Sequence, residues 1–117
     1  MPLKDARILV VEDEFLVAAM LCDFLEDEGA VAIGPVGRVS EALKAVAQGG
    51  FDLAVLDWNL DGQSSLPVAQ ALHSSGVPFL IATGYGQVEG NFADRPLLAK
   101  PYAREAVIAT ICELLDR

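Results

Sequence analysis

Cysteine, histidine and basic residues are all scarce in this chain, and each scarcity removes a class of chemistry. Among 117 residues there are two cysteines and one histidine. Cys22 and Cys112 stand far apart, each beside apolar residues in Met20-Leu21-Cys22 and Ile111-Cys112. A thiol redox centre or a structural zinc site needs C-x-x-C spacing or nearby histidines, and neither is present. The two thiols are expected to be reduced core residues. Lys and Arg number 8 against 17 Asp and Glu, a net charge of −9. The basic residues Arg7, Arg38, Lys44, Arg95, Arg104 and Arg117 are scattered rather than gathered into a stripe. Nucleic acid and anionic membrane surfaces are therefore not expected partners. No apolar run approaches the ~20 residues of a membrane span. The start, Met1-Pro2-Leu3-Lys4-Asp5, lacks the long apolar core of a secretory signal. A cytoplasmic protein with a bound cation or a basic protein partner is the simplest expectation.

What the chain has in abundance is apolar residues, 53% of the total. They fall into short runs that each stop at a reactive polar group. Ile8 to Val11 stops at Glu12-Asp13, Leu53 to Leu56 at Asp57, Phe79 to Ala82 at Thr83, and Leu97 to Ala99 at Lys100-Pro101. Each run has the length of a buried strand. Val31-Ala32 and Val36, interrupted by Gly34-Pro35, suggest a weaker one. Helical periodicity fills the gaps. It covers Glu14 to Glu28, closed by Gly29; a segment capped by Ser40 and running to Gln48; Leu66 to Ser75, with Pro67 in its first turn; and Arg104 to Leu115. His73, near the end of the third helix, complements the dipole there. The stretch Gly84 to Pro96 contains Gly84, Gly86 and Gly90, and is expected to be a short, frayed helix or a mobile loop. Strand and helix thus alternate through one domain, residues 1–117. That alternation argues an α/β fold with a parallel sheet, wound on both faces by helices.

In an open parallel sheet, ligands bind just beyond the carboxyl ends of the strands. There, the alternation would gather Glu12, Asp13, Asp57, Thr83 and Lys100. Three neighbouring carboxylates repel one another unless a cation joins them. Oxygen-only ligands in an open site point to Mg²⁺ more than Ca²⁺. The calcium-loop pattern fails, because Asp57-Trp58-Asn59-Leu60-Asp61-Gly62 is not followed by a Glu at the required place. With a cation bound, Asp57 at the end of the central strand is the best-placed nucleophile toward a phosphoryl donor. Lys100 and Thr83 could then hold phosphoryl oxygens. Taken singly, each residue has a plainer reading: an acidic helix start, a turn, a solvated lysine. Trp58 reads as packing, and Tyr85 and Tyr102 as partly buried packing or part of a partner surface.

Together, Val10-Val11-Glu12-Asp13-Glu14, Leu56-Asp57, Ala82-Thr83 and Lys100-Pro101 resemble the receiver domain of two-component response regulators, over essentially the whole chain. The resemblance implies a five-stranded, doubly wound, flavodoxin-like sheet of order 2-1-3-4-5. It implies Asp57 as the phosphoacceptor. Asp13, Asp57, the Asn59 carbonyl and (through water) Glu12 would hold Mg²⁺, and Thr83 and Lys100 would hold the phosphoryl group. A cis Lys100-Pro101 bond is also implied. Partners would be a sensor histidine kinase or a phosphotransfer protein, and a downstream protein target. Pro78-Phe79-Leu80-Ile81-Ala82-Thr83-Gly84-Tyr85 is further similar to the motif of the stand-alone FAT GUY receivers, with Ile81 replacing a phenylalanine. Leu97 stands where most receivers carry an aromatic switch residue, so the stretch Gly84 to Arg95 is the expected switching element. The rival reading is a small Mg²⁺-dependent phosphohydrolase with an aspartyl nucleophile. Such enzymes typically carry a second acid two residues after the nucleophile, where this chain has Asn59.

Overall fold

Strands β1 (Arg7–Val11), β3 (Leu53–Asp57) and β6 (Phe79–Thr83) are apolar along nearly their whole length because both faces of each are covered. The computed structural model describes residues 3–83, 96–100 and 102–116. The main sheet is completed by β2 (Val31–Val36) and β7 (Leu97–Ala99), all pairs parallel, in the order β2-β1-β3-β6-β7. Two further strands of two residues each, β4 (Asn59–Leu60) and β5 (Gln63–Ser64), form a separate antiparallel ribbon. Counted along the main sheet alone, the order is therefore the expected 2-1-3-4-5.

Side chains two apart on a strand share a face, and this divides the interior into two cores. Ile8, Val10, Leu53, Val55, Leu80 and Ala82 pack beneath α1 (Phe15–Asp27) and α4 (Arg104–Leu115). Leu9, Val11, Ala54, Leu56, Phe79 and Ile81 pack beneath α2 (Val39–Gln48) and α3 (Leu66–Ser74). Cys22 and Cys112 are free thiols at the margin of the first core, half-buried rather than sealed within it. Among the described residues, no helix is long and apolar enough to cross a membrane.

Three local expectations change. Helix α2 begins at Val39 with Arg38 in the capping position and no side-chain cap bond, so Ser40 lies inside the helix instead of capping it. Strand β2 runs unbroken through Gly34-Pro35, accommodated by a register shift between Leu9 and Val11 of β1. Gly34 has φ of +100°, and a Cβ there would come within 2.9 Å of the Val36 amide nitrogen and 3.0 Å of the Val10 carbonyl oxygen. Only glycine fits that approach. The ribbon β4–β5 was not expected at all. The stretch Gly84 to Arg95 and the Lys100-Pro101 bond lie outside the described residues.

Because the second core is closed around β1, truncation there leaves a cavity that the flanking strands cannot collapse into. Leu9→Ala is expected to lower unfolding stability by about 2–5 kcal/mol, measured by urea denaturation; a loss under ~1 kcal/mol would show that Leu9 is not a closed core position.

Candidate functional site

The carboxyl ends of β1, β3, β6 and β7 meet at one rim because the sheet is parallel and in register there. Asp57 ends β3, and its neighbour in β6 is Ala82, one residue before Thr83. Backbone bonds tie the strand exits together. The Glu12 amide donates to the Val36 carbonyl at 2.9 Å, Trp58 to Ala82 at 3.0 Å, and Lys100 to Thr83 at 3.2 Å. Exits held this way fix where the side chains leave the sheet.

Glu12, Asp13 and Asp57 are brought together, each offering an oxygen within 4.8 Å of the others. Glu12 and Asp57 are buried, and Asp13 faces solvent. Among the described residues, one ammonium reaches two of the three: Lys100 Nζ lies 3.0 Å from Glu12 Oε1 and 3.3 Å from Asp57 Oδ2. Burial, followed by the adjacent Glu12 carboxyl, pushes the Asp57 carboxyl up to about 8, against the opposing pull of Lys100. Burial would lower Lys100, but Glu12 and Asp57 outweigh it and raise its ammonium. Asp13 moves the other way. Its own burial is overcome by the Asp61 amide, 2.9 Å from Oδ2, and by hydrogen bonds from the neighbouring carboxyls, so it is lowered.

This donor set is short of positive charge. All its side-chain donors are oxygens, the open side is Asp13, and burial beside Glu12 raises the Asp57 carboxyl. A hard divalent ion fits these residues.

Asn59 stands two residues on along the chain, its amide 3.4 Å from Asp57 Oδ1 and its side-chain oxygen accepting the Gly62 amide at 3.0 Å. Thr83 ends β6 half-buried beside Lys100. Trp58 packs in the second core as expected.

The family profile for the response regulator receiver domain matches residues 8–111. The chain belongs to that family. Among curated relatives, this receiver is 37% identical over 118 residues to the two-component response regulator PhoP of Pseudomonas aeruginosa, covering 95% of this chain and 52% of PhoP. It spans about half the length of several of the curated relatives it matches. The solution structure of SdrG from Sphingomonas melonis Fr1 superposes with a TM-score of 0.84 at 44% identity, covering 98% of each chain. The beryllofluoride-activated conformation of SdrG gives 0.79 at 45% identity, over 93% of this chain and 95% of that one. The receiver is thus a module of two-component signalling, a family that binds Mg²⁺ at an acidic cluster of this kind, and the phosphohydrolase reading is not favoured.

Three contributors to the receiver's site were not singled out from the sequence. The Tyr102 hydroxyl donates to Glu12 Oε1 at 3.3 Å. Ser65, fully buried, donates its hydroxyl to the Asp57 carbonyl oxygen. Asp61 and Gly62 both have positive φ, 51° and 83°, in the turn between β4 and β5, and this aims the Asp61 amide at Asp13. An Asp-Gly pair is a strong two-residue hairpin signal, so that turn was open to detection. Nothing in the local sequence marks Tyr102 or Ser65.

The raised Asp57 carboxyl links folding to pH. A carboxyl whose folded pKa exceeds its unfolded value (about 4) contributes stability at low pH that is lost as pH rises through about 8. Metal-free protein should therefore lose on the order of 2–4 kcal/mol from this group between pH 5 and pH 9. Urea unfolding across that range should show the loss in wild type and much less of it in Asp57→Asn. Identical slopes in the two proteins would place the titrating group elsewhere.

Proposed function

We propose that this receiver is a phosphoacceptor switch in which Asp57 takes a phosphoryl group from a sensor histidine kinase or a phosphotransfer protein. The observation that carries the reading is the Asp57 carboxylate itself. It ends the central strand, is buried, lies 3.3 Å from a single ammonium, and is grouped with two further carboxylates.

In the transfer, an Asp57 carboxylate oxygen attacks phosphorus, the phosphorus–nitrogen bond of the donor phosphohistidine breaks, and the imidazole leaves. Glu12, Asp13, Asp57 and the Asn59 carbonyl would hold Mg²⁺. When bound, that ion supplies the neutralising charge between the carboxylates and the incoming phosphoryl oxygens. Lys100 pairs with one phosphoryl oxygen and the Thr83 hydroxyl donates to another. Ser65 fixes the backbone at the end of β3, so Asp57 cannot swing from its place in the strand. The chain catalyses only its own phosphorylation and dephosphorylation.

The donor approaches over the first turn of α1. Phe15 and Leu16 are 80% and 79% exposed immediately after Glu12, Asp13 and Glu14. An apolar pair beside a polar reaction centre suits a protein donor that excludes water as it docks. We further propose that the receiver works in the cytoplasm and is of the FAT GUY type. The 44% identity with SdrG and the motif from Pro78 to Tyr85 support that reading. Its signal then passes to a downstream protein target.

Acetyl phosphate with Mg²⁺ should add one phosphoryl group, seen by intact-mass spectrometry and lost in alkali. Asp57→Asn should abolish the addition, since an amide neither attacks phosphorus nor replaces the carboxylate ligand. Lys100→Ala should lower the yield at least tenfold by removing the only ammonium beside Asp57 among the described residues. Normal labelling of Asp57→Asn would refute the assignment.

A further inference from the structure

The Glu12 carboxylate has no access to water, and its donors among the described residues are on three groups. Its side chain is 0% exposed. Oε2 accepts the Glu14 amide at 3.2 Å. Oε1 accepts twice, from the Lys100 ammonium at 3.0 Å and from the Tyr102 hydroxyl at 3.3 Å. Lys100 is also shared with Asp57, at 3.3 Å.

We propose that Tyr102 is a positioning residue for phosphorylation: its hydroxyl holds Glu12 in place while Lys100 changes partner from Glu12 to the phosphoryl group. The proposal rests on the phosphoacceptor reading above. A phosphoryl group on Asp57 brings new anionic oxygens to the rim, and the ammonium moves toward them. Glu12 then loses its charged donor, and among the described residues keeps the Glu14 amide and the Tyr102 hydroxyl. A buried carboxylate that gives up a donor must keep its others or leave the interior.

Tyr102 is already seated on the same oxygen that Lys100 vacates. Its ring is buried, 7% exposed, in the first core with Val107 and Ile111. The hydroxyl therefore stays fixed while Lys100 moves, and no additional side chain has to be ordered at that moment. Arg104 holds the segment that carries Tyr102. Its guanidinium reaches Asp27 at 3.0 Å and Glu28 at 3.4 Å at the end of α1, and lies 5.7 Å over the Phe24 ring.

The hydroxyl matters more after phosphorylation than before, because before it Lys100 shares the load. Its removal therefore weakens the phosphorylated state selectively. A phenylalanine ring would fill the same space, so the hydroxyl alone separates positioning from packing.

The experiment uses the full chain at saturating Mg²⁺ with beryllofluoride as the phosphoryl mimic, binding being followed by Trp58 fluorescence and by NMR. Tyr102→Phe should raise the beryllofluoride dissociation constant roughly tenfold while the far-ultraviolet circular dichroism stays unchanged. In a Glu12→Ala background the same substitution should change that constant less than about twofold, since the hydroxyl then has no carboxylate to hold. In wild type, the Tyr102 ring Cζ resonance should move downfield on adding beryllofluoride. Unaltered binding by Tyr102→Phe would overturn the proposal. So would an equal loss with and without Glu12, which would mark a packing role, or an unmoved Cζ resonance. Failure of wild type itself to bind beryllofluoride and to accept phosphate would instead overturn the phosphoacceptor reading, and the proposal with it.

Discussion

Three carboxylates meet at the rim of the sheet and, among the described residues, one ammonium reaches only two of them; the rest of the site is arranged around that shortage of positive charge. Lys100 cannot neutralise Glu12 and Asp57 together, so burial and like-charge proximity leave Asp57 holding its proton well into the neutral range. A buried arrangement of this kind costs stability unless something supplies further charge. The same deficit that penalises the cluster creates affinity for a hard cation and, with the cation bound, for an anionic phosphoryl group. Destabilisation and function have one source.

The fold tolerates the deficit because the strands beneath it are covered on both faces. β3 is buried from Leu53 to Asp57, and its neighbours β1 and β6 hold it in register. The apolar energy gained there, at ~25 cal/mol per Å² buried, offsets the cost of a charged cluster at the strand ends. Backbone bonds between strand exits and the Ser65 hydroxyl then fix the rim at hydrogen-bond precision. A parallel sheet is suited to this, since all its strands deliver their last residue to the same edge.

Much of this was readable from residue order alone. Apolar runs ending in Glu12-Asp13, Asp57, Thr83 and Lys100 carry both the strand positions and the reactive set, because two-sided burial demands unbroken hydrophobicity and the chain leaves the sheet where that ends. Helix ends at Gly29 and the tolerance of Pro67 in a first turn follow from backbone sterics. Ser40 misled because a good capping residue is not used when the chain enters the helix two residues earlier. The Tyr102 and Ser65 contacts were not readable. Each joins residues distant in sequence, 90 positions apart for Tyr102 and Glu12, and depends on side-chain directions that no local pattern encodes. The aspartate–glycine turn at Asp61-Gly62 was readable in principle, and its effect on Asp13 appears only once the fold brings the Asp61 amide to that carboxylate.

If charge shortage governs the site, Mg²⁺ must displace the proton that Asp57 retains. Isothermal titration of Mg²⁺ at pH 7, repeated in buffers of different ionisation enthalpy, counts the protons released per ion bound. A carboxyl held at about 8 is mostly protonated at that pH, so wild type should release close to one proton per Mg²⁺ and Asp57→Asn almost none. Mg²⁺ binding to wild type with no proton release would contradict the account.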